Sequence, residues 1–123
     1  MTTKTGTTPS QGDIVLIPIP FTDLSSRKRR PVVVVSNDEY NRTFDDIVVV
    51  AMTSNPRLGP HSIRITTDDL VRGKLNRPGT IRVDKIYTLS QSIVVTTFGR
   101  VSPGVLDRIR SVLHELTGTE PQG

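Results

Sequence analysis

The chain has 123 residues, with 16 Lys and Arg against 12 Asp and Glu, and it contains neither cysteine nor tryptophan. That length predicts one domain able to bury a core without staples, and the lack of cysteine excludes disulfides, thiolate metal sites and sulfur redox chemistry. A net charge of +4 and a pI near 10.0 point towards a polyanionic partner, while an aromatic share of 4% argues against base-stacking platforms, so nucleic-acid contacts should rest on phosphate and sugar.

Residues 1–11 are polar and Thr-rich, without the apolar run of a signal peptide, and read as a disordered arm. No apolar stretch approaches the roughly 20 residues of a membrane span, so a soluble, cytoplasmic protein is expected. A single domain is expected over 12–117, followed by a frayed tail over 118–123. Its first strand is Ile14–Ile17, ending at Pro18 and Pro20. A long connection follows to Arg30, which Phe21 and Leu24 should pin to the body; loops of this length are often functional. Arg27, Lys28, Arg29 and Arg30 then run directly into Pro31 and the valines Val32–Val35. The valine run reads as a strand buried on both faces. Pro31 suits its first position and biases Arg30 towards extended backbone, which carries a guanidinium to the lip of the core.

A polar turn is expected over 37–45, then a second apolar strand over Ile47–Met52 that stops at Thr53-Ser54-Asn55-Pro56. His61–Thr66 alternates as a half-buried strand should. Residues 67–78 read as a loop with one helical turn. Thr80–Lys85 alternates again, with Ile81 and Val83 inward and Thr80, Arg82 and Asp84 on the other face. Ser92–Val101 is the last long strand. Ser102 as N-cap and Pro103 at the first helical position open a helix. Its apolar stripe is Val105, Leu106, Ile109, Val112, Leu113 and Leu116, and Gly118 stops it. The expected fold is mainly β: a small, strongly curved antiparallel sheet or SH3-like β-barrel with a C-terminal helix.

Candidate chemistry is sparse. His114 shares a helix face with Asp107 and Arg110 and reads as solvated. His61, at a strand start, is able to move a proton near neutral pH, although a plain loop histidine is the commoner case. No metal-ligand set, Gly-rich phosphate loop or nucleophile elbow is present in the pattern. Strand-end polar groups remain: Arg30, Thr53 with Ser54, and Arg82 with Asp84. Their bland readings are a basic turn, a turn signal, and an exposed ion pair contributing about 0–1 kcal/mol. Hairpin topology between the two valine-rich strands nevertheless sets Arg30 and Thr53 at the same sheet edge.

Four segments in order, G-D-I-V-L-I from Gly12, R-P-V-V-V-V-S from Arg30, V-A-M-T-S from Val50 and I-R-V-D-K from Ile81, resemble the MazF/PemK family of toxin–antitoxin ribonucleases. The resemblance spans Gly12 to Leu116. It implies a dimeric β-barrel-like toxin that cuts single-stranded RNA without metal or other cofactor and is blocked by an antitoxin with an acidic, disordered tail. It further implies that Arg30 and Thr53 are catalytic and that Ser54 touches RNA. Arg82 and Asp84 match an Arg-x-Asp pair used in binding or cleavage. Lys28 and Arg29 fall where phosphates or the antitoxin would be drawn in, and Asp84 or His61 is the candidate base. The first long loop departs from the family, because T-D-L-S-S-R-K-R lacks the Gly-rich Glu-Gln segment and any histidine. Two other readings stay open at this stage: a gyrase-binding toxin of the same fold, and a non-catalytic RNA-binding or regulatory module.

Overall fold

The computed structural model describes residues 8–18, 28–56 and 59–119. Continuous or alternating β-branched residues underlie most of the strands β1 (Asp13–Pro18), β2 (Arg29–Val34), β3 (Asp46–Thr53), β4 (Ser62–Ile65), β5 (Leu70–Gly73), β6 (Gly79–Ser90) and β7 (Thr96–Val101). They form a seven-stranded sheet in the order β4-β6-β3-β2-β1-β7-β5, and every strand pair is antiparallel. The helices are α1 (Asp38–Thr43) and α2 (Pro103–Thr117), with single 3₁₀ turns at Thr67–Asp69 and Gln91–Ile93.

The valine runs of β2 and β3 are buried on both faces, as their composition requires. Val33 and Val50 belong to a cluster with Ile63, Ile81, Val83, Val105 and Ile109, against which Leu106, Val112 and Leu113 of α2 also pack. Val32, Val34, Ile47 and Val49 point the other way into a second cluster with Val15 and Ile17, covered by Leu89, Ile93 and Val94. α2 starts and stops where the capping pattern sets it: Ser102 accepts from the Val105 N–H, Pro103 opens the first turn, and Gly118 follows the last residue.

Several boundaries differ from the sequence expectation. Asp38–Thr43 is a short helix rather than a turn; the Asn37 side chain caps it by accepting from the Tyr40 N–H. Residues 70–73 form β5, which pairs with β7 because Gly73, at φ 76°, lets the backbone approach Phe98 and Gly99. β6 runs on to Ser90, since β3 offers partners all the way to Asp46. β2 begins before Pro31, because β1 supplies Pro18 and Ile17 as partners for Arg29 and Arg30. Residues 8–11 of the expected free arm are held in place. Pro9 O accepts from Asn41 Nδ2 at 3.1 Å, and the Gln11 N–H donates to Asp38 Oδ1 at 2.8 Å. Arg27, Phe21 and Leu24 lie outside the described residues.

Candidate functional site

The apolar surface of the second cluster does not continue to the end of the sheet. The β2–β3 register runs Val34↔Val49, Val33↔Val50, Val32↔Ala51. It stops short of Pro31, which has no N–H to extend it. Continued two places, the same register sets Arg30 opposite Thr53. Thr53 in turn pairs with Thr80 of β6, and Thr80 with Arg64 of β4. Arg30, Thr53, Thr80 and Arg64 thus form one polar rung across four strands, on the face that Val32, Val34 and Val49 occupy further along. The next rung towards the apolar cluster is Ala51, Arg82 and Ser62. With neighbouring strands about 4.8 Å apart, the four-strand rung spans roughly 14 Å, enough for a phosphate and its two flanking sugars.

Thr80 organises this rung. It is fully buried, and its hydroxyl accepts from Arg64 Nη1 at 2.9 Å while donating to Asn55 O at 2.9 Å. The turn after β3 is thereby fixed to β6 and the Arg64 guanidinium is held in the sheet face. The alternation set Thr80 on the face opposite Ile81 and Val83, and its side chain is nonetheless fully buried. Thr53 Oγ1 accepts from the Asn55 N–H at 3.2 Å, which leaves its hydroxyl hydrogen available to another acceptor. Ser54 is exposed on the same turn. Arg30, Arg29 and Lys28 are exposed at the opposite end of the rung.

Arg82 and Asp84 stand together, with Nε and Oδ1 3.5 Å apart and side chains 40% and 31% exposed. This is a long, half-solvated pair, free to exchange its partner for a ligand. It exists because β6 bulges here: Arg82 faces Ala51, whereas Ile86 faces Val50, so residues 83–85 have no rung of their own on β3. His61 is not gathered with these groups. Its carbonyl accepts from the Val83 N–H at 3.0 Å, just ahead of β4, which sets it opposite Val83, a residue of the cluster that packs on α2. His114 is exposed in the last turn of α2. Among the described residues, no group of His, Asp and Glu stands together in a set able to hold a metal ion, and no helix is long and apolar enough to cross a membrane.

Arg64 and Thr80 stand on this rung although the sequence motifs gave neither a role. The available signal was the alternation Ile63-Arg64-Ile65, which already set Arg64 on a polar face, but not which strand that face would meet.

A family model described as a PemK-like, MazF-like toxin of type II toxin–antitoxin systems matches residues 10–117. Endoribonuclease MazF1 of Mycobacterium bovis and endoribonuclease MazF4 of Mycobacterium tuberculosis are each 28% identical over 89 residues, covering 72% of this chain and 79% of theirs. Among solved structures, an endoribonuclease from a mycobacterial species superposes with a TM-score of 0.73 at 24% identity, over 96% of this chain and 100% of that one. The MazE–MazF structure from Deinococcus radiodurans gives 0.74 at 22% identity, over 93% and 100%. A mycobacterial endoribonuclease in complex with its cognate antitoxin gives 0.68 at 24%, over 92% and 99%. The fold and the matched length agree: the chain belongs to the PemK-like, MazF-like toxin family of type II toxin–antitoxin systems.

Proposed function

We propose that the protein is an endoribonuclease toxin that cleaves single-stranded RNA through the substrate's own 2′-hydroxyl, without a metal. The observation that carries this reading is the polar rung itself: β2–β3 pairing brings Arg30 and Thr53 to one sheet edge, in a chain whose relatives are named endoribonucleases. The 2′-oxygen attacks the adjacent phosphorus as it loses its proton, and the P–O5′ bond breaks. The products are a 2′,3′-cyclic phosphate and a 5′-hydroxyl, whose oxygen takes up one proton. DNA lacks the nucleophile, which makes the reaction RNA-selective.

Arg30 stabilises the phosphorane charge with its forked donors, and the free hydroxyl hydrogen of Thr53 donates to the same phosphate. Asp84 is the better-placed base, because its partner Arg82 lies one rung from Thr53 on the same face, while His61 stands opposite Val83, which faces the other way. Ser54, Lys28 and Arg29 flank the rung and contact the RNA backbone. The physiological partner is a cognate antitoxin with an acidic, disordered tail that lies along these cations, and the active form is a homodimer.

The test is incubation of purified protein with RNA of mixed sequence in excess chelator, followed by end-group analysis. Cyclic-phosphate ends are expected. Arg30→Ala and Thr53→Ala should each slow cutting by about 10²–10³-fold, the loss measured for a single donor aimed at a developing oxyanion. Intact RNA, or equal cutting by Arg30→Ala, defeats the reading. Toxicity that survives both substitutions points instead to a target other than RNA.

A further inference from the structure

A cavity of about 200 Å³ opens beside the polar rung and takes no part in the mechanism above. Its walls are the turn at 66–68 and the segment 75–78, immediately beyond the last β4–β6 rung, Ile65↔Gly79. Strand alternation sets Thr66 on the face of Arg64 and Pro78 on the face of Thr80. Two residues of strand advance about 7 Å, so the cavity mouth lies one such step beyond the Arg64–Thr80 rung. That is comparable with the step between successive nucleotides in an extended single strand.

The cavity is a built feature. Thr67 Oγ1 donates to Leu75 O at 3.0 Å and accepts from the Leu75 N–H at 2.9 Å, which ties one wall to the other. The Thr66 N–H donates to Asp69 Oδ2 at 2.8 Å, and Asp69 O accepts from the Ser102 N–H at 2.8 Å at the start of α2. Leu75 packs on the core beneath. The space is smaller than the ~300–1,000 Å³ of pockets for drug-sized ligands and is of the size of one base.

Its polar lining consists of Asp68, Asn76 and Arg77. Among the described residues none of these side chains is engaged in a hydrogen bond or ion pair. A carboxylate in the wall disfavours a phosphate. A guanidinium and a carboxylate facing one space instead match a base edge that carries acceptors and donors together. Arginine pairs with adjacent carbonyl and ring-nitrogen acceptors, and a carboxylate accepts from N–H donors. All four bases carry acceptors and donors, but only guanine combines an adjacent acceptor pair, O6 and N7, suited to a forked guanidinium, with an adjacent N–H donor pair, N1–H and the N2 amino group, suited to both oxygens of a carboxylate.

We propose that this cavity is a base-specific subsite that holds a guanine of the single-stranded RNA next to the cleaved linkage, with Arg77 and Asp68 as its readers. The proposal rests on the ribonuclease reading for its substrate. It assigns sequence choice to the 66–78 segment, a part of the chain to which the sequence motifs gave no role.

Cutting and binding are measured separately to test it. Sites cut by the wild type, Arg77→Ala and Asp68→Asn are mapped on mixed-sequence RNA, and kcat/KM is then compared on oligonucleotides that carry guanine, inosine or adenine at the selected position. Binding is measured on the same oligonucleotides made uncleavable by a 2′-deoxy nucleotide at the cut. The wild type should prefer guanine at one position near the cut. Arg77→Ala should reduce guanine-over-adenine discrimination about 10- to 100-fold, and Asp68→Asn should remove discrimination against inosine, which lacks the N2 amino group. Inosine probes the wild-type protein as well, so a variant that folds poorly does not decide the matter. Cutting with no guanine requirement, or with discrimination unchanged in both variants, overturns the subsite. Guanine-dependent binding without any cutting upholds the subsite and removes the ribonuclease reading. Neither cutting nor guanine-dependent binding removes both.

Discussion

Thr80 carries no exposed surface, yet its neighbours on both sides are polar, and its hydroxyl links the Arg64 guanidinium to the Asn55 carbonyl. A typical intramolecular hydrogen bond contributes about 0.5–1.5 kcal/mol to stability. Thr80→Val keeps the shape and removes the hydroxyl, so it should destabilise the protein by that amount, read as a lower midpoint in urea at unchanged slope. Because the same bond anchors the turn that presents Thr53 and Ser54, RNA cleavage by the folded variant should also slow, whereas Thr80→Ser should retain both. The meeting of Arg30 and Thr53 at one end of the sheet was legible in the sequence, because each sits at the end of an apolar run and hairpin pairing brings such ends together. Arg64 and Thr80 were not, since their role depends on β6 lying between β3 and β4. That is a choice of neighbour which no local pattern encodes.

Elements with a sustained period or a complete cap were readable, and short ones were not. α2 combines Ser102, Pro103, an apolar stripe and Gly118, and its ends agree with that reading. α1 has only six residues, too few for a period to emerge, and its one signal was Asn37 ahead of Asp38 and Glu39. Asn37→Ala removes that cap and should cost about 1 kcal/mol, measurable as a lower thermal midpoint; no change would mean that Tyr40–Phe44 stacking and the buried Asn41 hold the helix without it. The bulge in β6 has larger consequences. Up to Arg82 the even-numbered residues share the polar face, but the bulge inverts the alternation, so that Tyr87 faces Val49 and Leu89 faces Ile47. Leu89 then packs on the second apolar cluster while Arg82 and Asp84 stay with the site. Deleting Lys85 changes that parity and turns Leu89 away from the cluster. Leu89 is only partly buried, so the expected loss is at or below the lower end of the ~2–5 kcal/mol cost of truncating a buried leucine, and equilibrium unfolding of the deletion variant would read it. A stability within error of the parent would mean that β6 re-forms its bulge from other residues.

At the scale of the molecule, charge does what no single contact can. The net charge is only +4, but five of the described cations gather here: Arg30 and Arg64 on the rung, Arg82 on the next one, and Lys28 and Arg29 at the open end. The asymmetry is legible in the sequence for the basic run and for Arg82, which the family pattern singles out, and invisible for Arg64, whose place beside them is a product of sheet order. Such a patch raises the local concentration of a polyanion and, by releasing its counterions, makes binding salt-dependent. For single strands each neutralised phosphate contributes about −0.7 to the slope of log K against log salt. Arg29→Gln, which leaves the proposed chemistry untouched, should therefore lower that slope by about 0.7 and weaken RNA binding to a similar degree across sequences. The rate of the bound complex, read as single-turnover cutting at saturating protein, should stay near that of the parent. Arg30→Gln should show the reverse emphasis, with a modest change of slope and a loss of turnover. Equal behaviour of the two variants in both measurements would mean that the strand start acts as one undivided basic patch, and the division between an attracting Arg29 and a reacting Arg30 would have to be given up.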